Sequence, residues 1–410
     1  RFGNCTQGVT QEFIDVSSAR SPVHETVEEG AIEVEVPLLA DRPFVKDLSL
    51  NSAARFTHYD NNSGGDPTMA NSAFNAVTWK LGATWAINDR VRVRWSRSKD
   101  IRAPNLYDLY NPVQYISSNI ISDYLNLDPA TGQPTTANAT QRLSGNPSLK
   151  PEVAHTTTLG FVFRPAPGLS MSIDGYDITI EDALAVLDGS TQFIQQNCIN
   201  SGGTSPLCLD VWPQGCCTPG ATNALAEYFV EPYNIAVQRT WGIDFETDYG
   251  TRLFSRLFSA RLLTTFQPHL LYEQDTIYND QAGAAYNGTF GLQPAPIWKA
   301  SLYLHYDLSE RVGLDLAERY RSRLRWSADP TQYSVGGIGS VAYTDATVTY
   351  SIPHAEDEFN VFLNITNLFN KQPPPAPTPG NAIFPGIAPL YVAGDDIVGR
   401  YFTVGVRARF

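Results

Sequence analysis

The stretch Gly399-Arg-Tyr-Phe-Thr-Val-Gly-Val-Arg-Ala-Arg-Phe410 decides the fold. Read with a period of two, Phe402, Val404, Val406, Ala408 and Phe410 share one face. Tyr401, Thr403, Gly405, Arg407 and Arg409 share the other. A β-strand sends alternate side chains to opposite sides. One side here is wholly apolar and the other carries two arginines. In a soluble sandwich the apolar side would face a core. In a membrane barrel it would face lipid, with the polar side lining the lumen.

The same alternation recurs upstream. Ile32, Val34 and Val36 oppose Glu33 and Glu35, and Pro37 is expected to end that run. Leu48, Leu50, Ala54 and Phe56 alternate with Ser49, Asn51, Arg55 and Thr57. Val77, Trp79, Leu81, Ala83 and Trp85 oppose Lys80, Gly82 and Thr84, and Val91, Val93 and Trp95 oppose Arg92, Arg94 and Ser96. Further strands read at 153–164, 169–181, 227–237, 240–249, 255–269, 296–307, 311–325, 340–352, 358–366 and 399–410. The total is about 14. Short turns such as Asn88-Asp89 and Leu308-Ser-Glu310 alternate with long loops near 100–150, 183–226 and 371–398. Short turns at one end and long loops at the other is the asymmetry of outer-membrane barrels. Trp79, Trp85, Trp95, Tyr176, Trp241, Trp298, Tyr306, Tyr320 and Trp326 fall near strand ends, where interfacial girdles use Trp and Tyr. Glu318 is a fault in the pattern, because it falls on the apolar face with Leu314, Leu316 and Tyr320. A bulge or a position near the interface would excuse it.

Composition narrows the class. Of 410 residues 17% are charged, with 30 Gly and 28 Pro, which points away from a helical soluble enzyme. A formal net charge of −13 argues against a nucleic-acid partner, since phosphate binding needs a concentrated basic surface. No run of about 18 apolar residues offers a transmembrane helix, but a barrel strand needs only about ten alternating residues. The chain opens on Arg1-Phe-Gly-Asn, without an initiator methionine, and its N-terminus is read as missing.

Five cysteines are present, at positions 5, 198, 208, 216 and 217. Cys198 with Cys208 is the most economical disulfide, and adjacent Cys216 and Cys217 would not normally bridge each other. Cys5 is left free, paired into this loop, or paired with absent sequence. An oxidising compartment is favoured. A zinc site is disfavoured, since no CxxC pair recurs and no histidine sits nearby.

Each candidate for chemistry has a plainer competitor. Asp244, Glu246 and Asp248 share one strand face, where a glycosidase would want two carboxylates. A solvated lumen wall outweighs that reading. Arg319, Arg321, Arg323 and Arg325 recur at period two and would attract an anionic ligand, although pairing with lumen or plug acids outweighs this. Tyr107, Tyr110, Tyr115 and Tyr124, in a long loop, suit stacking on a sugar or an aromatic chelator, and loop packing weighs equally. The six histidines have no metal-ligand spacing. Gly337-Ile-Gly-Ser-Val-Ala342 imitates a dinucleotide fingerprint but precedes a strand. No Gly-x-Ser-x-Gly elbow or P-loop is present, and no cofactor is implied. The Pro373–Pro375 run, with Pro377 and Pro379, makes a stiff loop before the last strand.

Four stretches resemble the TonB-dependent outer-membrane receptors. They are Arg97-Ser-Lys-Asp-Ile-Arg-Ala-Pro-Asn-Leu-Tyr-Asp-Leu-Tyr110, Gly145-Asn-Pro-Ser-Leu-Lys-Pro-Glu152, Phe359-Asn-Val-Phe-Leu-Asn-Ile-Thr-Asn-Leu-Phe-Asn-Lys371, and the terminal strand ending on Phe410. Their order and spacing carry the resemblance, which spans roughly 30–410. It implies an all-β, antiparallel transmembrane barrel, of which this chain is the C-terminal part. Family members form a 22-stranded barrel with a plugged lumen. The plug domain and the TonB-binding segment are not found here, so both are expected in a preceding part of the same receptor. The implied function is capture of a scarce bulky nutrient (an iron chelate, cobalamin or an oligosaccharide) and its import with TonB-relayed energy across a Gram-negative outer membrane. The implied partners are TonB, outer-membrane lipid and the extracellular substrate, and the protein is expected not to be an enzyme. A passive porin, a secreted all-β carbohydrate-active enzyme and an adhesive surface protein are the competing readings.

Overall fold

A computed structural model of the chain describes residues 22–65, 69–205, 208, 225–274, 277–286, 295–327, 337–354, 357–376 and 391–409. Cys5, Cys216, Cys217, Pro377, Pro379 and Phe410 lie outside the described residues. In chain order the first elements are β1 (His24–Arg42), β2 (Val45–Asn62), β3 (Ser72–Ala86), β4 (Val91–Arg102), α1 (Leu106–Tyr110), β5 (Gln114–Leu127), β6 (Pro134–Leu143), β7 (Glu152–Ala166) and β8 (Leu169–Asp188). Then follow α2 (Gln192–Asn200), β9 (Glu227–Leu253), β10 (Arg256–Gln274), β11 (Ile277–Asp280), β12 (Ala284–Tyr286), β13 (Trp298–Asp307) and β14 (Val312–Arg321). The chain ends with β15 (Arg325–Ser327), β16 (Val341–His354), β17 (Asp357–Thr366) and β18 (Tyr401–Arg409).

Thirteen strands form one antiparallel path, in the order β1-β2-β3-β4-β7-β8-β9-β10-β13-β14-β16-β17-β18. Every step along it joins strands that are consecutive in the wall, the meander of an up-and-down barrel. Among the described residues β1 and β18 do not pair, so the sheet is an open stretch of barrel wall. Hairpin connections at one end are brief (43–44, 87–90, 167–168, 254–255, 308–311), whereas those at the other carry α1, α2, β5, β6, β12 and β15.

Register keeps the two faces continuous. Phe402, Val404 and Val406 of β18 lie opposite Ile365, Leu363 and Val361 of β17. Leu363 and Ile365 in turn face Val348 and Ala346 of β16. Such a row has nothing covering it: Phe402 is 62% exposed and Val404 73%. An apolar face of this extent is stable only against lipid. The reverse face carries Arg94 with Asp174 (2.8 and 2.5 Å), Arg261 with Glu246 (2.5 Å), and His305 with Asp315 (2.7 Å). Each of these pairs is wet and contributes little alone, about 0–1 kcal/mol.

Several sequence expectations change. Pro37 does not end its strand; β1 passes through a register shift between Pro37 and Leu39 and continues to Arg42. An edge strand tolerates Pro because one row of its N–H groups needs no partner. The runs at 227–237 and 240–249 are a single strand, β9, so among the described residues the path has thirteen strands, in keeping with the expected count of about 14. At 27 residues β9 is about 90 Å long, several times what a membrane requires. Its first third therefore stands outside the bilayer.

Trp79, Trp85, Trp241, Trp298 and Tyr320 are exposed on the apolar face, as an interfacial girdle requires. Tyr176 is not of that set. It lies on the opposite face over Gly242, where an added Cβ would fall 2.4 Å from its hydroxyl oxygen and 2.6 Å from the carbonyl oxygen of Phe266. Trp326 also leaves the girdle, being buried in β15. Glu318 stays on the apolar face without any bulge in β14, and Thr344, directly opposite, donates its hydroxyl hydrogen to the carboxylate.

Candidate functional site

Among the described residues, the connections near 100–150 and 183–226, expected to be loops, carry helices and strands. Residues 103–151 begin with α1, whose N-cap Asn105 accepts from the N–H groups of Tyr107 (2.8 Å) and Asp108 (2.9 Å). Asp108 returns the bond by accepting from the N–H of Asn105 (3.0 Å), a closed capping box. Gly145 lets the chain come back against this helix. A Cβ there would meet the backbone nitrogen of Asn111 at 2.5 Å. The hairpin β5–β6 then adds to the outer end of β9 in parallel, with Thr140 opposite Glu227 and Leu143 opposite Val230.

Between this hairpin and α2 lies a water-excluding core of Leu125, Leu187, Ile194, Leu225, Tyr228 and Val230, among others. Cys198 and Cys208 are joined in it by a disulfide with Cα atoms 4.9 Å apart. Gln195, fully buried, satisfies the backbone there. Its amide nitrogen donates to the carbonyls of Ser122 (2.9 Å) and Ser190 (3.2 Å), and its oxygen accepts from the N–H of Tyr124 (2.9 Å). The buried Asp123 carboxylate accepts from the N–H groups of Leu125 and Asn126. A second small core, of Ala285, Leu324, Trp326, Ile338, Ala376 and Val392, covers the outer end of the other side of the wall.

The four loop tyrosines do not act alike. Tyr107 and Tyr115 are 64% and 63% exposed and open to a ligand. Tyr124 is half-buried. Tyr110 is only 1% exposed, and its hydroxyl donates to the carbonyl of Asn61 (2.9 Å), so in this structure it packs under the loop. Burial pushes its phenol above the ordinary tyrosine range, and burial followed by the charge of Asp188 does the same at Tyr228.

The arginines form no continuous stripe, because β14 ends at Arg321. Arg319 donates to Asp345 (3.2 and 3.4 Å) and lies over the ring of Tyr343. Arg321 makes a two-pronged pair with Asp395 and donates to the carbonyl of Gly339 (2.8 Å). The side chains of this pair are 10% and 3% exposed. Arg323 lies exposed in the link after β14, and Arg325 donates to the carbonyls of Asp280 and Ala282 (both 2.8 Å). Lys299 stands directly opposite Arg321 on β13. These groups border a cavity of about 250 Å³, lined by Lys299, Arg319, Arg321, Tyr343 and Asp395. A larger cavity of about 590 Å³ lies along the lumen face by Asp248, Arg261, His305, Asp315 and Asp345.

Asp244, Glu246 and Asp248 are lumen-wall residues. Glu246 and Asp248 both engage Arg261, and Asp244 accepts from the hydroxyl of Thr265 (2.7 Å). Asp345 could have been found from sequence, since it alternates onto the polar face of β16. Asp395 could not, because it belongs to an irregular loop far from Arg321 in the chain.

Comparison with known proteins agrees with this geometry. Residues 31–368 match the family described as TonB dependent receptor-like, beta-barrel. No curated protein sequence matches the chain. The FrpB iron transporter from Neisseria meningitidis superposes with a TM-score of 0.53 at 15% identity, over 94% of this chain and 46% of that one. A mutant of the ferric enterobactin receptor from Pseudomonas aeruginosa, solved with enterobactin, gives 0.54 at 15% identity over 94% and 55%. The chain thus spans about half the length of these structures, and at such identity they speak to the fold. A family match over most of the chain and a wall of the same build lead to one conclusion: the chain belongs to the TonB-dependent receptor β-barrel family.

Proposed function

We propose that this chain is the C-terminal part of an outer-membrane receptor that captures a scarce, bulky nutrient outside a Gram-negative cell and imports it with TonB-relayed energy. The observation that carries the reading is the polarity of the molecule: a lipid-facing wall topped at one end by built, disulfide-closed structure that presents Tyr107 and Tyr115. An aromatic-bearing rim over a wide polar lumen suits a ligand too large to diffuse through a narrow pore. A preceding segment of the same protein supplies the plug and the contact with TonB, and adds strands to the open edge of β1. Both similar structures are named as iron or ferric-chelate receptors, so a ferric chelate is the first substrate to try, ahead of cobalamin and oligosaccharides.

Uptake of a labelled ferric chelate by cells carrying the whole protein tests this. Saturable uptake that stops when a protonophore collapses the inner-membrane potential is expected. Uptake that is linear in concentration and indifferent to the protonophore would overturn the receptor reading in favour of a passive porin. Intact-mass measurement of the native protein checks the domain assignment: a mass near twice that of this chain is expected.

A further inference from the structure

The girdle gives the height of the membrane edge on each strand. Going along the wall, Trp79 of β3 lies in the same cross-strand row as Lys99, His155, Thr179 and Arg239. Trp241 of β9 is one row nearer the short-turn end, in line with Asp177. Trp298 is a further row in the same direction, opposite Phe266. Rows run perpendicular to tilted strands, so a constant height must step down through the rows in this way. On β4 and β7 the interface therefore falls at Lys99 and His155, with Arg97 just inside it.

Arg97 and Lys99 are on the lipid-facing side. They share a face with Val93 and Trp95, and Arg97 lies between Leu81 and Thr157. Successive residues on one face are about 7 Å apart. On the lumen face Arg94, Arg102, Arg261 and Arg319 each have a carboxylate partner. Arg97 and Lys99 have neither an ion-pair nor a hydrogen-bond partner among the described residues. Farther along, Arg239 meets the one acid of these two rows on β4 to β9, Asp177, at 3.3 Å. Two unanswered cations beside a Trp girdle at the long-loop end face the headgroup layer, which their long stems reach by snorkelling.

We infer that Arg97 and Lys99 bind the anionic headgroup of a lipid in the outward leaflet, a phosphate or carboxylate held between the two side chains with Trp79 beside them. The inference rests on the membrane reading above. It gives the wall a fixed lipid contact under α1, on the strand that leads directly into the outer cap.

The test uses the whole protein reconstituted into vesicles of phosphatidylcholine, with and without phosphatidylglycerol, followed by mild detergent extraction and mass analysis of retained lipid. The native protein should retain phosphatidylglycerol. Arg97→Gln with Lys99→Gln should retain it about 25-fold less, roughly fivefold for each cation near an anionic surface. Arg92→Gln, on the lumen face of the same strand, should retain it unchanged. Should the double variant not fold, Lys99→Gln alone is expected to show the fivefold loss, and Lys99→Arg none. Equal retention by native protein and the Gln variants would overturn the inference while leaving the membrane reading intact. Displacement of the lipid by inorganic phosphate would also overturn it, showing a site for a free anion. Failure to enter vesicles of either composition would overturn the membrane reading and the inference together.

Discussion

Along β18 the apolar side chains Phe402, Val404 and Val406 are more exposed than not, whereas Leu109, Ile194 and Leu324, in the connections at the long-loop end, are sealed. Among the described residues, the clusters of buried apolar residues lie at that end or in strand segments leading into it. In a water-soluble protein the regular elements would hold the core and the loops would be wet. Here the wall leaves half of its burial to the bilayer, and the cap excludes water by itself. The two regions should therefore fail separately, and the cap should fail first in aqueous stress.

The largest expected effect breaks the cap where it is tied to the wall. Asp395→Ala strands the Arg321 guanidinium in a site where both partners are nearly sealed, at a cost of about 3–5 kcal/mol. The loop before β18 should become protease-sensitive. The wall's resistance to unfolding in detergent, read as heat-dependent mobility in gel electrophoresis, should hardly change. Simultaneous loss of both would mean that cap and wall form one cooperative unit.

Next comes the disulfide. Replacing Cys198 and Cys208 with Ser frees a loop of separation 10, and the chain-entropy model puts the loss at about 2–3 kcal/mol. Protease cleavage within 183–226 should speed up while barrel mobility stays fixed. A reductant should act on the native protein in the same direction.

A matched pair of glycines sharpens the contrast from the other side. Gly145→Val meets backbone atoms of Leu109 and Asn111, and Gly242→Val meets the carbonyl of Phe266 as well as the Tyr176 ring. Overpacking of this kind costs about 1–3 kcal/mol in each place. The first should loosen α1 and its packing on Leu149. The second should lower the unfolding temperature of the wall and leave the cap's protease pattern alone.

The same division explains what could be read from the chain. Alternation made the wall legible, down to which face of β18 meets lipid, because a period of two follows from the pleat alone. It split β9 at Gln238-Arg239-Thr240, where polar residues fall on both faces, because that stretch passes the membrane edge and no longer has to alternate. It read Arg319 to Arg325 as one stripe because nothing in a period of two marks where a strand stops. The cap obeys globular packing. Its tie residues, Gln195, Asp123 and Asp395, are found only by knowing which distant backbone groups they serve. Pairing Cys198 with Cys208 is accessible because the two are close in sequence, whereas the burial of Tyr110 is not, because a tyrosine in a capped helix looks, in sequence, like any loop aromatic.

The smallest expected effect is one of pH, and it again concerns the cap alone. Tyr110 and Tyr228 are held neutral chiefly by burial, so their folded pKa values lie above the unfolded value near 10. A group raised on folding contributes stability that is whole below its unfolded pKa and lost as pH climbs through the folded one. The cap should therefore keep its protease resistance up to about pH 10 and lose part of it above. Ultraviolet titration should find both tyrosines among the phenols that ionise late, and Tyr110→Phe should lower the number of late phenols by one. That variant also deletes the donor to Asn61, whose carbonyl then needs water, so a modest loosening at neutral pH should accompany it. If the late phenol that Tyr110→Phe removes still ionised late after proteolysis of the cap, its burial would not depend on the cap, and the separation of the two regions would fail at this point.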